Sequence, residues 1–387
     1  MRVLLTGGRA PATLDLARHL HSGGNEVFLA ESQRWPIARW SNAIIRTFRV
    51  PPPRFKHAAF TRAICNILEH ERIDLLIPTC EEIFFISRHA DVFSKHSRVF
   101  CDKFALLETL HNKWRFNQIA SHSAVKAPRS ALIESSNVIE EKVEEFDKYV
   151  LKPAYSRFAV HTLFDPRKAD LASINPTSTH PWICQERIKG TEYCTYSVAR
   201  SGTLLAHACY HPKYRAGRAS GYYFLPVDVP PITEYVSEFV EAHSFSGQIG
   251  FDFIEHASGD LFVLECNPRL TSGAHLFDQS ADFNRVFDNQ WEGPTVFAHH
   301  EPKMIGLAMA LMQFPKSVPV REVRSTFTDF NDASDVVFHN DDALPAAGQF
   351  IQLAECLTRA VAEGVSPISV STRDIEWDGE PLADFSS

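Results

Sequence analysis

Apolar and polar positions along the first hundred residues switch repeatedly between strand-like runs and helical spacing. "RVLLT" is a short apolar run, and the turn Gly7-Gly8 follows it. "APATLDLARHLHS" has helical spacing and is closed by Gly23-Gly24. "NEVFLAES" reads as a second strand, "KHAAFTRAICNILEHERI" as a helix and "DLLIPT" as a strand of the fully buried type. "EEIFFISRHADVFSKH" and "RVFC" continue as helix and strand. Strands alternating with helices predict a parallel sheet covered on both faces. Residues 1–102 are therefore expected to form a small doubly wound α/β domain.

The texture changes after Lys103. "KFALLETLHNKWRFNQIASHS" reads as helix and ends before "VKAPRS", where Pro128 excludes further helix. "SALI", the acidic helix "NVIEEKVEEF" and the strand "KYVLKPA" follow. "HPWICQERIKGTEYCTYSVARSGTLLAHACYHPKYR" reads as strands joined by glycine turns, with Ser201-Gly202 as a hairpin. "YVSEFVEAHS" is an amphipathic helix. Helices mixed with antiparallel strands predict an α+β arrangement here. Further on, "PKMIGLAMALMQF" and "AAGQFIQLAECLTRAVAEG" are helical. The acidic "FNDASDVVFHNDDALP" lacks the glycine and terminal glutamate of a calcium loop and reads as a solvated connector.

One hairpin carries chemistry. In "GFDFIEHASGDLFVLECN" the turn Ser258-Gly259 separates two alternating runs. If Ala257 pairs with Asp260, Asp252 lies directly opposite Glu265, with Cβ atoms ~5 Å apart. Asn267 shares that face, and Phe251, Phe253, Phe262, Leu264 and Cys266 form the opposite, core-facing one. Two carboxylates and an amide oxygen are a hard, all-oxygen set suited to Mg²⁺ or Mn²⁺ rather than zinc. From the hairpin alone, a solvated polar face with a salt bridge from Arg269 to Glu265 accounts for the pattern equally well.

Composition narrows the choice of partners. The chain has 387 residues, so two or three domains are expected, and it is 44% hydrophobic and 22% charged, as ordinary globular proteins are. A net charge of −8 supplies no basic field for nucleic acid or anionic lipid. No apolar stretch approaches the ~20 residues that span a bilayer. Met1-Arg2 runs directly into a strand-like segment, with no signal-peptide pattern. The eight cysteines are scattered without a CxxC pair and read as buried, reduced thiols. A cytoplasmic protein is the expectation. Gly7-Gly8 raises a dinucleotide site as an alternative, but "TGGRAPAT" lacks the GxGxxG spacing and reads better as a tight turn.

The hairpin together with Asn267-Pro268-Arg269 resembles the ATP-grasp superfamily, in particular the branch containing biotin carboxylase and the large chain of carbamoyl-phosphate synthetase. Over roughly residues 103–275 other landmarks of that family follow in order. Asn112-Lys113 resembles the site of the first nucleotide lysine, and "YVLKP" the strand carrying the second, Lys152. "QERIKGTE" resembles the hinge, where Glu186, Arg187 and Ile188 would meet adenine and Glu192 the ribose hydroxyls. The resemblance implies an α/β N-terminal doubly wound domain over 1–102. An α+β ATP-grasp fold of two subdomains, 103–188 and 189–387, would follow. It also implies ATP with Mg²⁺ or Mn²⁺ held by Asp252, Glu265 and Asn267, and Arg269 facing the transferred phosphoryl group.

Two features depart from the family pattern. The loop after Lys152, "KPAYSRFAVHT", has no glycine, so Ser156 and Arg157 would contact the phosphates by hydroxyl and guanidinium instead. Gly250 stands where peptide-forming relatives carry an arginine, leaving Arg269 to supply that charge alone.

The implied reaction joins a small carboxylate, such as an amino acid, to an amine through an acylphosphate, releasing ADP. A substrate carboxylate is expected near Ser272, Gly273 and His275. "YHPKYRAGRASGYYF", with Lys213, Arg215 and Arg218, is either an anion-binding segment or an ordinary exposed loop. Carboxyphosphate chemistry and a non-catalytic nucleotide-binding protein are the alternatives. A homodimer is compatible with the resemblance, though no surface in the sequence identifies an interface.

Overall fold

The computed structural model describes residues 1–157, 161–217, 221–278, 282–316 and 320–382. Arg218 and the part of the glycine-free loop at 158–160 therefore lie outside the described residues. The N-terminal strands are β1 (Arg2–Thr6), β2 (Glu26–Glu31), β3 (Ile44–Arg49), β4 (Leu75–Ile77) and β5 (Arg98–Val99), in a parallel sheet of order β3-β2-β1-β4-β5. The central strands are buried on both faces, which is why they read as unbroken apolar runs. β3 has no such signal: it is a half-exposed edge strand carrying Arg46, Thr47 and Arg49. The Gly7 turn is packed tightly. A side chain at Gly7 would strike Thr79, and one at Gly8 would strike Leu29, so the tight turn, not a phosphate cradle, describes it.

After the short β6 (Val125–Lys126), a second sheet is built from β7 (Ser130–Ile133), β8 (Tyr149–Pro153), β9 (Leu163–Phe164) and β10 (Trp182–Glu186) in the order β7-β10-β8-β9. The third sheet contains β11 (Gly190–Arg200), β12 (Thr203–Arg215), β13 (Gly221–Pro226), β14 (Gly247–His256) and β15 (Leu261–Asn267). β6 joins it beside β15, β16 (Val296–Phe297) beside β12, and β17 (Lys303–Met304) and β18 (Ser334–Asp335) beyond β13. Ser201 and Gly202 both take positive φ between the paired Arg200 and Thr203, giving the two-residue hairpin that the sequence predicts. The helix Pro230–Ala242 covers one face of this sheet through Tyr235 and Phe239, whose rings meet Phe251.

The β14–β15 hairpin brings Asp252 opposite Glu265, but by a different path from the expected one. The turn is one residue longer, with the His256 N–H donating to the Asp260 carbonyl, and Gly259 in the left-handed region. Glu255, Ile254 and Phe253 then pair with Leu261, Phe262 and Val263, and a bulge at Leu264 restores the register before Asp252. The bulge also reverses the parity of the strand. Leu261, Val263 and Cys266 are in the core, whereas Phe262 and Leu264, assigned to the core from alternation, are not.

Two other expectations are corrected. The stretch from Lys103 is two helices, Phe104–His111 and Lys113–Ile119, broken at extended Asn112. The segment "FNDASDVVFHNDDALP" is no solvated connector: it supplies β18 and the buried Val336 and Val337. Its Asp342 is buried too and accepts hydrogen bonds from the Arg18 guanidinium, the Ser41 hydroxyl and the Asn42 N–H. Among the described residues no helix is long and apolar enough to cross a membrane.

Candidate active site

A cavity of about 1050 Å³ lies where the second and third sheets, the Gly7–Pro11 turn region and the C-terminal helices meet. Its polar floor starts at the broken helix. The Asn112 side chain accepts from the N–H groups of Trp114 and Arg115, so the second helix begins at Lys113. The buried Lys113 ammonium donates to the Ser156 carbonyl at 2.8 Å and lies 3.4 Å from the Glu265 carboxylate. Lys152 reaches the same place from β8. Burial pushes it down to about 8, while Glu265 and Asp252 act to keep its charge.

Asp252 and Glu265 hydrogen-bond to each other across the hairpin. Burial and the Glu265 charge push the Asp252 carboxyl upward. Burial also acts upward on Glu265, but Lys113 and Lys152 outweigh it and hold that carboxyl below the ordinary range. Two carboxylates this close either share a proton or share a cation. Asn267 lies two residues on, its amide oxygen accepting from the Arg269 guanidinium at 2.9 Å. Asp252, Glu265 and Asn267 all line the cavity, and their oxygens suit a hard divalent cation. Among the described residues no cluster of three His, Cys, Asp or Glu side chains offers an alternative.

Arg269 is not alone. Arg157 forms an ion pair with the buried Glu81 carboxylate at 2.9 Å, and Arg269 lies 3.9 Å from the same oxygen. Glu81 comes from the N-terminal part of the chain and holds the two guanidiniums side by side. Burial and then the charge of Arg157 lower the Arg269 pKa. A side chain at Gly250 would overlap the Thr195 carbonyl, and Arg157 brings a second guanidinium beside Arg269.

Another part of the cavity lining is apolar. Val150, Phe164, Ile188, Ile254 and Leu264 form it, and the bulge is what turns Leu264 inward. Glu186 accepts from the Arg129 N–H at 2.7 Å, so its carboxylate fastens β10 to the neighbouring backbone. The Arg187 N–H donates to the Lys148 carbonyl, and its guanidinium pairs with Asp165. Glu192 pairs with Arg215 at 2.5 Å, which joins one expected ribose ligand to one expected anion-binding residue.

The expected substrate trio divides. Ser272 and His275 line the cavity, with His275 held by the Asp15 carboxylate at 2.5 Å and stacked on Phe224. Gly273 does not line it: it packs on Tyr196 and Tyr210, and a side chain there would strike Tyr196. Lys213 is tied to Asp329 at 2.7 Å and does not line the cavity. Sequence reasoning missed Glu81 and the C-terminal wall formed by Gln349, Gln352, Cys356 and Ile375. Neither carries a local motif.

Comparison with known proteins agrees with this geometry. Residues 110–273 match a family model described as the ATP-grasp domain. An uncharacterized protein of Methanocaldococcus jannaschii is 22% identical over 178 residues, which is 46% of this chain and 45% of that protein, so the match spans about half of the relative's length. N5-carboxyaminoimidazole synthetase from Staphylococcus aureus superposes with a TM-score of 0.62 at 12% identity, covering 81% of this chain and 85% of that one. An L-amino acid ligase from Bacillus licheniformis gives 0.58 at 12% identity, over 76% and 77% of the two chains. Biotin carboxylase from Campylobacter jejuni gives 0.60 at 13%, over 76% and 72%. Residues 110–273 thus match an ATP-grasp domain, and the second and third sheets with their carboxylate-bearing hairpin have the fold of the ATP-grasp structures they superpose on.

Proposed function

We propose that the protein is an ADP-forming ligase that activates a small carboxylate with ATP and passes the acyl group to an amine. The observation that carries this is the meeting of Lys113, Lys152, Asp252, Glu265 and Asn267 on one cavity wall, with Arg157 and Arg269 at its end. Phosphoryl transfer needs positioning and charge neutralisation rather than covalent work by the protein, and this wall offers both. The apolar slot around Leu264 and Phe164 receives the adenine, with Glu186, Arg187 and Ile188 at its rim and Glu192 at the ribose. Lys113, Lys152 and Ser156 meet the phosphates.

Asp252, Glu265 and Asn267 would hold Mg²⁺ or Mn²⁺, which supplies charge for the triphosphate when bound. Arg157 and Arg269 orient the acid and stabilise the negative charge that develops on the acyl oxygen as the amine attacks the acyl carbon, before phosphate leaves. Ser272, His275 and Arg215 face the same space, and Gly273 only shapes the turn beneath it. The three-part division at 102 and 188 remains our reading of the chain.

The test is ADP release from Mg-ATP with pools of amino acids and other small carboxylates, with and without hydroxylamine. Carboxylate-dependent ADP together with a hydroxamate, both lost in Glu265→Gln, is the expected result. ADP release indifferent to every acid and undiminished in Glu265→Gln would overturn it. A second reading, with bicarbonate as the acid, draws support from the longer overlap with the carboxyaminoimidazole synthetase than with the amino-acid ligase. It predicts ADP release that depends on bicarbonate in CO₂-free buffer.

A further inference from the structure

The C-terminal helix Leu344–Glu363 is inside out. From Leu344 to Ala362 its exposed residues are Leu344, Ala347, Phe350, Ile351, Leu353, Ala354, Leu357, Thr358, Val361 and Ala362, with no charge among them. Gln352 and Glu355 point the other way, into the protein, and the charged pair Arg359–Glu363 lies at the helix's C-terminal end. Glu355 accepts from the N–H groups of Arg34 and Trp35. Gln352 accepts from the Ile37 N–H and donates to the Arg9 carbonyl. Gly348 packs on Trp40, where any side chain would overlap the indole. A surface helix of an isolated globular protein shows the opposite arrangement, apolar inward and charged outward.

We infer that this outer face is where a second copy of the chain packs. Val361 is 85% exposed, Leu344 65%, Phe350 59%, Leu357 47%, Leu353 40% and Ile351 39%. At ~180 Å² for a whole large apolar side chain, the six expose on the order of 600 Å². That reaches the upper end of the ~300–600 Å² of the largest patch on a typical monomer. It also approaches the ~800 Å² that a standard interface takes from each partner. Leu353 also lines the cavity, with the exposed Leu311 and Met312, so the patch borders the candidate site.

The chemistry of the face selects its occupant. Without charges it offers no recognition for an acidic or basic peptide. A helix lying on a membrane keeps a Lys/Arg-rich polar face toward water, but here the polar face is buried in the chain itself and the net charge is −8. An uncharged apolar stripe is complementary to itself, as the isologous contact of a two-fold dimer requires. Phe350, Leu353, Leu357 and Val361 recur at spacings of three, four and four and fall on one side of the helix. Antiparallel pairing about a point between Leu353 and Leu357 sets Phe350 of one copy beside Val361 of the other. Gln349, Gln352 and Cys356 on the inner side of the same helix wall the cavity together with Leu353 at its edge, so the dimer clamps a wall of the candidate site.

Analytical ultracentrifugation of the whole protein across the micromolar range tests this without reference to its chemistry. The wild type is expected to sediment as a dimer. Leu357→Glu and Val361→Glu are each expected to raise the dimer dissociation constant by about a hundredfold or more, because like charges are forced together. Val361 touches little of its own chain, so Val361→Glu should keep the wild-type circular dichroism and melting temperature. Mixing Leu357→Glu with Leu357→Lys should restore the dimer. A wild type that remains monomeric throughout, or a dimer unmoved by either substitution, would overturn the inference.

Discussion

Leu264 shows how one residue shapes the proposed nucleotide slot. The bulge places Leu264 and Glu265 on the cavity side together, so an apolar wall and a carboxylate of the proposed metal site are adjacent in sequence. Leu264→Ala should raise the KM for ATP by about tenfold with kcat nearly unchanged, since it removes methylenes that bind ground state and transition state alike. Steady-state kinetics against ATP would show it, and a kcat loss at constant KM would contradict it. Arg157→Ala should instead lower kcat by about a hundredfold, the effect of removing one aimed positive group. Alternation was enough to set Asp252 opposite Glu265. It could not find Leu264, because a bulge changes parity and leaves no compositional mark. Nor could it find Glu81, which meets Arg157 and Arg269 only after distant segments come together.

At the level of elements, the placement of Lys113 depends on a helix break. Asn112 ends one helix in an extended conformation and caps the next, so the lysine points into the cavity from a first turn. Asn112→Ala should cost about 1 kcal/mol, and Asn112→Asp should restore most of it; thermal melts of the two variants compare them directly. The helical pattern ran through this break, because apolar spacing on both sides is in phase. The acidic segment before the last long helix was misread for a related reason. Its carboxylates looked like a solvated run, yet Asp342 is buried against Arg18, Ser41 and Asn42. Asp342→Ala leaves Arg18 with one buried partner fewer and should destabilise the protein by about 3 kcal/mol, measurable by urea unfolding. Compositional acidity does not reveal which carboxylate has a buried guanidinium waiting for it.

For the whole molecule, buried histidines set the response to acid. Burial pushes His19 and His207 down to about 4, and burial followed by the charge of Lys113 takes His111 to about 3. All three are neutral in the folded chain and titrate near 6.5 when unfolded, so the unfolded state binds more protons between these values. Their contribution is complete above 6.5 and is lost as pH falls toward 4. The melting temperature should therefore be lower near pH 5 than near pH 7.5, and His207→Gln should flatten the difference; a higher value at the acid end would refute this. The parallel first sheet was legible because its strands are buried on both faces, whereas the meeting of three sheets and a C-terminal wall around one cavity is a property of the assembled chain. The central proposal is that this cavity binds ATP through a divalent metal that Asp252, Glu265 and Asn267 would hold. It is tested most directly by calorimetric titration of a non-hydrolysable ATP analogue, with Mg²⁺ and with EDTA, into the wild type and Glu265→Gln. Binding in Mg²⁺ that weakens at least about a hundredfold in EDTA and in the variant is the predicted result. Binding indifferent to metal and to Glu265, or none at all, would contradict it.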